Sequence, residues 1–137
     1  MVGIRQITAL PTLMHWRAEV LKNDLGTEPN PRLLVSNRQY YRRHIADGTH
    51  MAFVADCDGE ECGCGAVSFT EELPSPENPA GKCACLMNIY VREPFRNKGI
   101  AHFIVRHLVE EARKRGCGKI YLETAAERKP LHLSSGF

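Results

Sequence analysis

Several features that would place the chain in a class at once are missing from this sequence. It has no apolar run long enough to cross a membrane, and its N-terminus lacks the charged and then apolar pattern of a secretory signal. It has no internal repeat and no low-complexity tract, which excludes a repeat architecture. Its net charge is only +2 and no long basic block occurs, which argues against bulk nucleic-acid binding. These absences predict a cytoplasmic protein that binds neither a membrane nor nucleic acid.

The composition that is present is ordinary for a globular protein. The chain has 137 residues, of which 43% are hydrophobic and 25% are charged. This length allows one hydrophobic core but is too short for two. We therefore expect residues 1–137 to form a single domain.

Cysteine is the one residue type that stands out, with six copies: Cys57, Cys62, Cys64, Cys83, Cys85 and Cys117. Without a secretion signal, a disulfide framework is disfavoured. A zinc site is a sharper hypothesis, but the spacing is C-x-C instead of the usual C-x-x-C. If Cys62–Glu71 and Cys85–Val91 pair as a hairpin, the two cysteine pairs lie about 25 Å apart. The prediction is therefore buried, reduced cysteines and no metal site, with a small cysteine–metal interaction domain kept as an alternative.

The rest of the chain is organised around a strand, a short turn and a helix. Leu86–Val91 is β-leaning and largely apolar, as expected for a strand buried on both faces. Pro94 rules out continued central pairing. From Ile100 onward apolar residues recur at helical spacing until Gly116, which is typical of a helix C-terminus.

The turn between this strand and this helix carries the main candidate site. A helix start leaves backbone N–H groups without partners and adds partial positive charge. A glycine lets the backbone approach a ligand, and nearby basic side chains add charge, so the turn can cradle a phosphate or pyrophosphate. An ordinary strand-to-helix turn with solvated basic residues fits equally well. The candidate residues are Arg96, Asn97, Lys98, Gly99, Ile100 and Ala101.

The remaining patterns predict the element order βααβββαβα. A strand at Ile4–Ile7 is followed by one helix that ends at Gly26 and by another that begins after Asn30. Asp58-Gly59 predicts a hairpin. The predicted elements that complete the order are a hairpin strand from Met51 to Ala55, its partner Gly63–Thr70, a strand at Lys119–Thr124 and a short helix at Lys129–Ser135.

Two motifs in this order resemble those of a known family. Arg96-x-x-Gly99-x-Ala101, after a strand, resembles the acyl-CoA motif Arg/Gln-x-x-Gly-x-Gly/Ala of the GNAT superfamily of N-acetyltransferases. In that family the backbone amides of this motif hold the CoA pyrophosphate. Leu131-His132-x-x-x-Gly136-Phe137 resembles the family's Leu-Tyr-x-x-x-Gly-Phe. The resemblance covers the chain in element order and is motif-specific from residue 86 to residue 137.

The resemblance implies an α/β (α+β) fold in which a mixed sheet splays between its fourth and fifth strands. In the family, the pantetheine arm of acyl-CoA enters that splay and pairs with the backbone of the fourth strand. By position, this duty falls to Ile89, Tyr90 and Val91. A backbone N–H here, provisionally that of Tyr90, would polarise the thioester carbonyl.

The activity that the resemblance implies is acetyl-CoA-dependent N-acetylation. The acceptor would be a primary amine of a small molecule or a protein, attacking directly in a ternary complex. His132 stands where the family has a tyrosine that protonates the leaving thiolate, a role that histidine could fill. Where many members carry a basic glutamate, this chain has Cys83–Leu86, and the alternatives are Glu71, Glu72, Glu93 and Glu123. These departures leave a second hypothesis, a catalytically weak CoA-binding regulatory module.

The end of the sequence also departs from the family. There, Gly136-Phe137 leads into one or two further strands, which are missing here. Three explanations remain open: the tail was lost, the protein is a shortened member, or a partner chain covers the gap. An unpaired sheet edge favours dimerisation, so a homodimer is an expectation.

Overall fold

Three helices and six strands make up the part of the chain that the structure describes. A computed structural model describes residues 1–26, 28–123 and 128–131, with the backbone alone at residues 128 and 129. None of the described helices is both long enough and apolar enough to span a membrane. The elements are β1 (Val2–Ile7), α1 (Leu10–Asn23), α2 (Pro31–Ala46), β2 (His50–Cys57), β3 (Glu60–Glu71), β4 (Lys82–Val91), α3 (Ile100–Lys114), β5 (Lys119–Glu123) and β6 (Arg128–Pro130), with a 3-10 turn at Glu93–Phe95 after β4.

Local chemistry places two helix boundaries where the sequence predicts them. The Asn30 side-chain oxygen accepts a hydrogen bond from the Leu33 amide at 2.8 Å, which caps α2. Pro31 occupies its first turn, where a missing N–H costs nothing. Past the C-terminus of α3, Gly116 has φ of 75°, a left-handed conformation that glycine adopts without strain. The signals at Asn30 and Gly116 are therefore confirmed, whereas α1 ends at Asn23, three residues before the predicted stop at Gly26.

The strands form one mixed sheet in the order β1-β2-β3-β4-β5-β6. Neighbours are antiparallel except β4 and β5, which are parallel because α3 crosses over between them. Two apolar layers cover the sheet. On one face α3 packs Ile104 and Leu108 against Leu86. On the other face α1 packs Leu13 and Trp16 against the sheet.

The sheet splays at the predicted place. β4 pairs with β5 only over Cys83–Leu86, which face Lys119–Leu122. β4 then continues alone on this side as far as Val91. Its residues 87–89 become half-buried there, whereas residues 83–86 are buried. An opening therefore lies between β4 and β5, beside the N-terminus of α3.

The prediction of a helix from residue 129 is wrong over the three of its residues that the structure describes, 129–131. Arg128–Pro130 is a strand that pairs antiparallel with β5, and the Leu131 amide donates to the Ile120 carbonyl at 2.8 Å. The physical reason is that the far side of β5 needs backbone partners, and an edge strand tolerates Pro130 despite its missing N–H. Residues 132–135 of the predicted helix, together with Gly136 and Phe137 of the motif, lie outside the described residues.

The register of β3 and β4 corrects the expected spacing of the cysteines. Cys85 lies opposite Ser68, not residue 71. Cys64 and Cys85 are therefore separated by four residues along the ladder, about 13 Å, and not by 25 Å. That separation still exceeds the reach of two thiolates on one zinc ion, whose Zn–S bonds are about 2.3 Å. All six cysteines are free thiols, and four of them are buried.

Candidate functional site

The turn before α3 faces open space. Gly99 has φ of 78° and Asn97 has φ of 65°, so two of its residues adopt the left-handed conformation. A Cβ built on Gly99 would meet no atom within 4 Å. A ligand can therefore reach the backbone here without displacing a side chain.

Backbone amides at this turn are suited to binding an anion. No side chain caps α3, and its first helical bond runs from the Phe103 amide to the Gly99 carbonyl at 3.0 Å. The amides of Ile100 and Ala101 precede that bond, so they have no acceptor within the helix. The partial positive charge of the helix N-terminus adds to them. The geometry leaves these amides available for the phosphate cradle that the sequence predicts, and that role stays a prediction.

Arg96 links the turn to the end of β4. Its Nε donates to the Val91 carbonyl at 2.9 Å, and its guanidinium carbon lies 6.0 Å from the centre of the Tyr90 ring. This places a cation at the mouth of a cleft of about 300 Å³ between β4, the turn and α1. The cleft is lined by Asn23, Asp24, Ile89, Tyr90, Val91, Arg96 and Ala101.

The cleft continues into the opening between β4 and β5. A second cavity, of about 480 Å³, shares Asp24 and Ile89 with the first. Its walls come from α1, β4, α3 and β5. The lining residues are Arg17, Val20, Asp24, Leu25, Asn88, Ile89, Val105, Leu122 and Glu123. One groove therefore runs from the Gly99 turn into the splay.

A β-bulge at Asn88 shapes the middle of this groove. Cys64 pairs with Tyr90 and Ala66 with Met87, which leaves two residues of β4 opposite one of β3. Asn88 has φ of 56°, and its side-chain oxygen accepts from Arg17 Nη1 at 2.7 Å. The bulge was not predicted. Its one signal in the sequence is an asparagine, which tolerates positive φ, inside an apolar strand.

A third cavity, of about 390 Å³, lies beyond the bulge. It shares Arg17, Asn88 and Glu123 with the splay cavity, so the two adjoin. The other lining residues are Asn37, Tyr40, Tyr41, His50, Ser68 and Met87. We call this space the distal cavity. It was not predicted, because its walls come from α1, α2, β2, β3, β4 and β5, which are distant in sequence.

The aromatic side chains and the imidazole of the distal cavity are held neutral by burial. The Tyr40 hydroxyl and His50 Nδ1 share a hydrogen bond of 2.8 Å. Burial, with smaller contributions from His44 and Arg17, lowers the pKa of His50 to about 4. Burial also raises the pKa of Tyr41 to about 12. Near neutral pH, these aromatic walls therefore carry no charge.

His50 gives a prediction for the pH dependence of stability. An unfolded histidine binds a proton near pH 6.5, whereas folded His50 stays neutral down to about pH 4. The unfolded state therefore binds more protons between these pH values, and stability is lost as the pH falls through that window. The linked loss is about 3 kcal/mol. We expect His50→Phe to show a smaller loss between pH 6.5 and pH 4.5 in urea unfolding, with exposed His15→Phe as the control. Equal losses in wild type and His50→Phe would contradict the assignment.

An ion pair fixes α1 against the end of β4. Arg92 Nε and Nη2 donate to the two oxygens of Glu19 at 2.8 and 2.9 Å, and the Arg92 guanidinium stacks 4.3 Å above the Trp16 ring. The hydrogen bond with Arg92 holds the pKa of Glu19 below its usual range. Because α1 and β4 form two walls of the groove, this pair holds the groove's width.

The structure brings most of the predicted site residues to the groove. Ile89, Tyr90, Val91, Arg96 and Ala101 line the cleft, and Asn97, Lys98 and Gly99 form its exposed turn. Ile100 contributes its amide, while its side chain is buried in the core. The predicted acid His132 lies outside the described residues.

The four carboxylates considered as the general base differ in whether they reach the groove. Glu123 lines both the splay and the distal cavity. Glu72 bonds to Lys119 at 3.0 Å, and Glu71 lines a different cavity beside Arg115. Glu93 is exposed in the turn after β4.

Comparison with known families decides the identity. The model of the acetyltransferase (GNAT) family matches residues 10–134. The chain belongs to the GNAT family. A search of curated proteins gave no match.

Solved GNAT structures share this fold. A predicted acetyltransferase from Clostridium acetobutylicum, solved with acetyl-CoA, is 25% identical with a TM-score of 0.79, over 90% of this chain and 81% of that chain. A GCN5-related N-acetyltransferase from Ralstonia eutropha JMP134 is 19% identical with a TM-score of 0.73, over 91% and 84%. Glucosamine-6-phosphate N-acetyltransferase from Arabidopsis thaliana is 18% identical with a TM-score of 0.63, over 90% and 82%. The last two likenesses show the fold alone.

Proposed function

We propose that this GNAT protein is an N-acetyltransferase that moves the acetyl group of acetyl-CoA to a primary amine of a small molecule or a protein. The observation that carries the proposal is the continuous groove from the open Gly99 turn, through the parted strands, to the distal cavity. Such a groove has room for a donor at one end and an acceptor at the other, which favours direct attack in a ternary complex.

The turn suits the diphosphate of acetyl-CoA. A Cβ at Gly99 would project into open space, and the Ile100 and Ala101 amides lie at the uncapped N-terminus of α3. Arg96 and Lys98 add two exposed cations beside these amides. In the proposal these groups bind the diphosphate. When bound, the thioester supplies an acyl group already activated for transfer.

The exposed stretch of β4 would position the thioester. Ile89–Val91 lies along the cleft, and its pairing with β5 has already ended at Leu86. Backbone groups on this side of β4 are therefore free of a β5 partner and can pair with an extended chain. We assign the Tyr90 amide to polarise the acyl carbonyl, as an oxyanion hole does.

Proton transfer needs two further groups. The attacking amine must lose a proton, and Glu123 is placed to take it, directly or through water, because it lines both adjoining cavities. The leaving thiolate must gain a proton, and the proposal keeps His132 in that role. Lysine-like acceptors, amino sugars and protein amino groups all present the required amine.

Release of free thiol from acetyl-CoA tests the proposal directly. The purified protein would be incubated with acetyl-CoA and a panel of primary amines, and free thiol would be measured over a control without amine. We expect amine-dependent thiol release and a higher melting temperature with acetyl-CoA. A raised melting temperature without turnover would support the CoA-binding regulatory module instead. The absence of both thiol release and a thermal shift would overturn both the acetyltransferase and the regulatory module.

A further inference from the structure

We infer that the acceptor carries a carboxylate close to its amine, as an amino acid does, and that Arg17 binds this carboxylate. The inference rests on the proposed function and adds the substrate class. Three observations support it: the position of Arg17, the surroundings of its charge, and the fact that Arg17 lines both the splay cavity and the distal cavity.

Arg17 is fixed in position by two neutral partners. Its Nε donates to Asn37 Oδ1 at 2.9 Å, and its Nη1 donates to Asn88 Oδ1 at 2.7 Å. A guanidinium has five N–H donors, so these two bonds leave three for a ligand. The two amides orient the guanidinium from α2 and from the bulge, which makes the site preorganised.

The charge of Arg17 is not neutralised by a neighbouring carboxylate. Within the described ranges 1–26, 28–123 and 128–131, no carboxylate oxygen lies within 4 Å of its guanidinium. By contrast, Arg92 on the same side of the sheet is paired with Glu19. A half-buried arginine held only by neutral amides favours an anionic ligand, and its planar donors match a carboxylate.

The walls around Arg17 supply no competing positive charge near neutral pH. Tyr40, Tyr41 and His50 form a contacting aromatic group, with ring centroids 5.2 to 5.8 Å apart. The field of Arg17 also reaches this group, since it lowers the pKa of His50 and opposes the rise at Tyr41. The distal cavity therefore offers one cation, an uncharged aromatic wall and, on its border with the splay cavity, the carboxylate of Glu123. This set suits a ligand whose carboxylate binds Arg17 while its amine lies beside Glu123.

The same shared residues set the distance between amine and carboxylate. Arg17 and Glu123 both line the splay cavity, where the acyl group would lie, and the distal cavity. An amine that reaches the acyl group therefore lies beside the groups that would bind its anion. A carboxylate at the far end of a long chain would not satisfy this geometry.

Matched acceptors test the inference. Alanine, leucine and phenylalanine would each be compared with the corresponding amide and with the decarboxylated amine, by thiol release from acetyl-CoA. The amino group of the amino acid amide is less basic than that of the amino acid, whereas the amino group of the decarboxylated amine is at least as basic. A preference for the acid over both compounds therefore cannot be an effect of basicity. We expect kcat/KM to be about ten-fold or more higher for the acids. 2-Aminoethyl phosphate distinguishes the anion: a preference for it over all the acids would overturn the inference.

Variants assign the preference to Arg17. Arg17→Gln should remove the preference for acid over amide, while Arg5→Gln, an exposed arginine on β1 paired with Glu61, should retain it. If Arg17→Gln lowers acid and amide turnover by the same factor, Arg17 only supports the bulge and the inference is wrong. If that variant does not fold, equal rates of wild type with acid, amide and amine would still refute it.

A binding measurement separates this inference from the proposed function. Calorimetry would compare N-acetyl-L-leucine with N-acetyl-L-leucinamide, added to the wild-type protein in the presence of CoA. About ten-fold tighter binding of the acid supports the carboxylate site even if no amine is acetylated, in which case only the proposed function fails. Equal binding of the two, together with turnover of neutral amines, would leave the proposed function intact and overturn the inference.

Discussion

Gly99→Glu is expected to abolish measurable acetyl-CoA binding while the protein stays folded. A new Cβ at Gly99 meets no atom within 4 Å, so the core is untouched, and the left-handed φ of 78° costs only about 1 kcal/mol for a non-glycine residue. The added carboxylate, however, lies where the diphosphate would bind and repels it. We expect the dissociation constant for acetyl-CoA, measured by calorimetry, to rise by about 100-fold or more.

The opposite end of the same helix offers a matched control. Gly116 follows α3, has φ of 75°, and likewise meets no atom within 4 Å when a Cβ is added. Gly116→Glu therefore introduces the same strain and the same charge away from the groove. It should leave acetyl-CoA affinity unchanged. If Gly99→Glu bound acetyl-CoA as tightly as Gly116→Glu, the proposed diphosphate site would be elsewhere.

Asn88→Val is expected to lose about 100-fold in turnover, whereas Asn88→Gly should stay within about ten-fold of wild type. Asn88 has φ of 56°, which glycine accepts and a β-branched residue does not. Valine favours extended pairing, so the bulge would shift and residues 89–91 would exchange faces along the cleft. Glycine keeps the bulge and loses only the bond to Arg17. Thiol-release kinetics with the best acceptor would measure both.

Asp58→Val separates strain from function. Asp58 has φ of 52° in the β2–β3 hairpin and lines none of the three cavities of the groove, so the substitution adds similar backbone strain. Because its carboxylate interacts with Lys98 of the Gly99 turn, kcat is compared at saturating acetyl-CoA. The substitution should lower the melting temperature and leave kcat near the wild-type value. If Asn88→Val and Asn88→Gly lost turnover equally, the Asn88 side chain would matter and the bulge geometry would not.

Elements set by contacts between near neighbours were predictable. The Asn30 cap, the hairpin at Asp58-Gly59 and the start of α3 after Gly99 each depend on a few consecutive residues. The turn that we propose as a phosphate cradle belongs to the same class, since it is built from the consecutive residues 96–101.

Elements set by distant partners were not predictable in the same way. Whether Arg128–Pro130 is a strand or a helix depends on the open side of β5, not on its own sequence. The register that brings Cys85 opposite Ser68 runs unbroken to Glu71 opposite Lys82, so it depends on how the long connection between β3 and β4 closes. The bulge at Asn88 lies beyond this segment and is a separate feature of the pairing of β3 with β4.

The amino-acid order by itself determined the element types as far as β5 and the position of one turn proposed to bind an anion, because helix caps, turn glycines and apolar periodicity act over only a few residues. Tertiary structure alone decided at which residue the pairing of β4 with β5 ends, which carboxylate reaches the opening, and that Arg17, Asn37 and Asn88 converge beside it. The hydrogen bond between Arg17 and Asn88, for example, joins residues separated by 71 positions in the chain. Only packing of the complete sheet against its helices brings such residues within hydrogen-bonding distance.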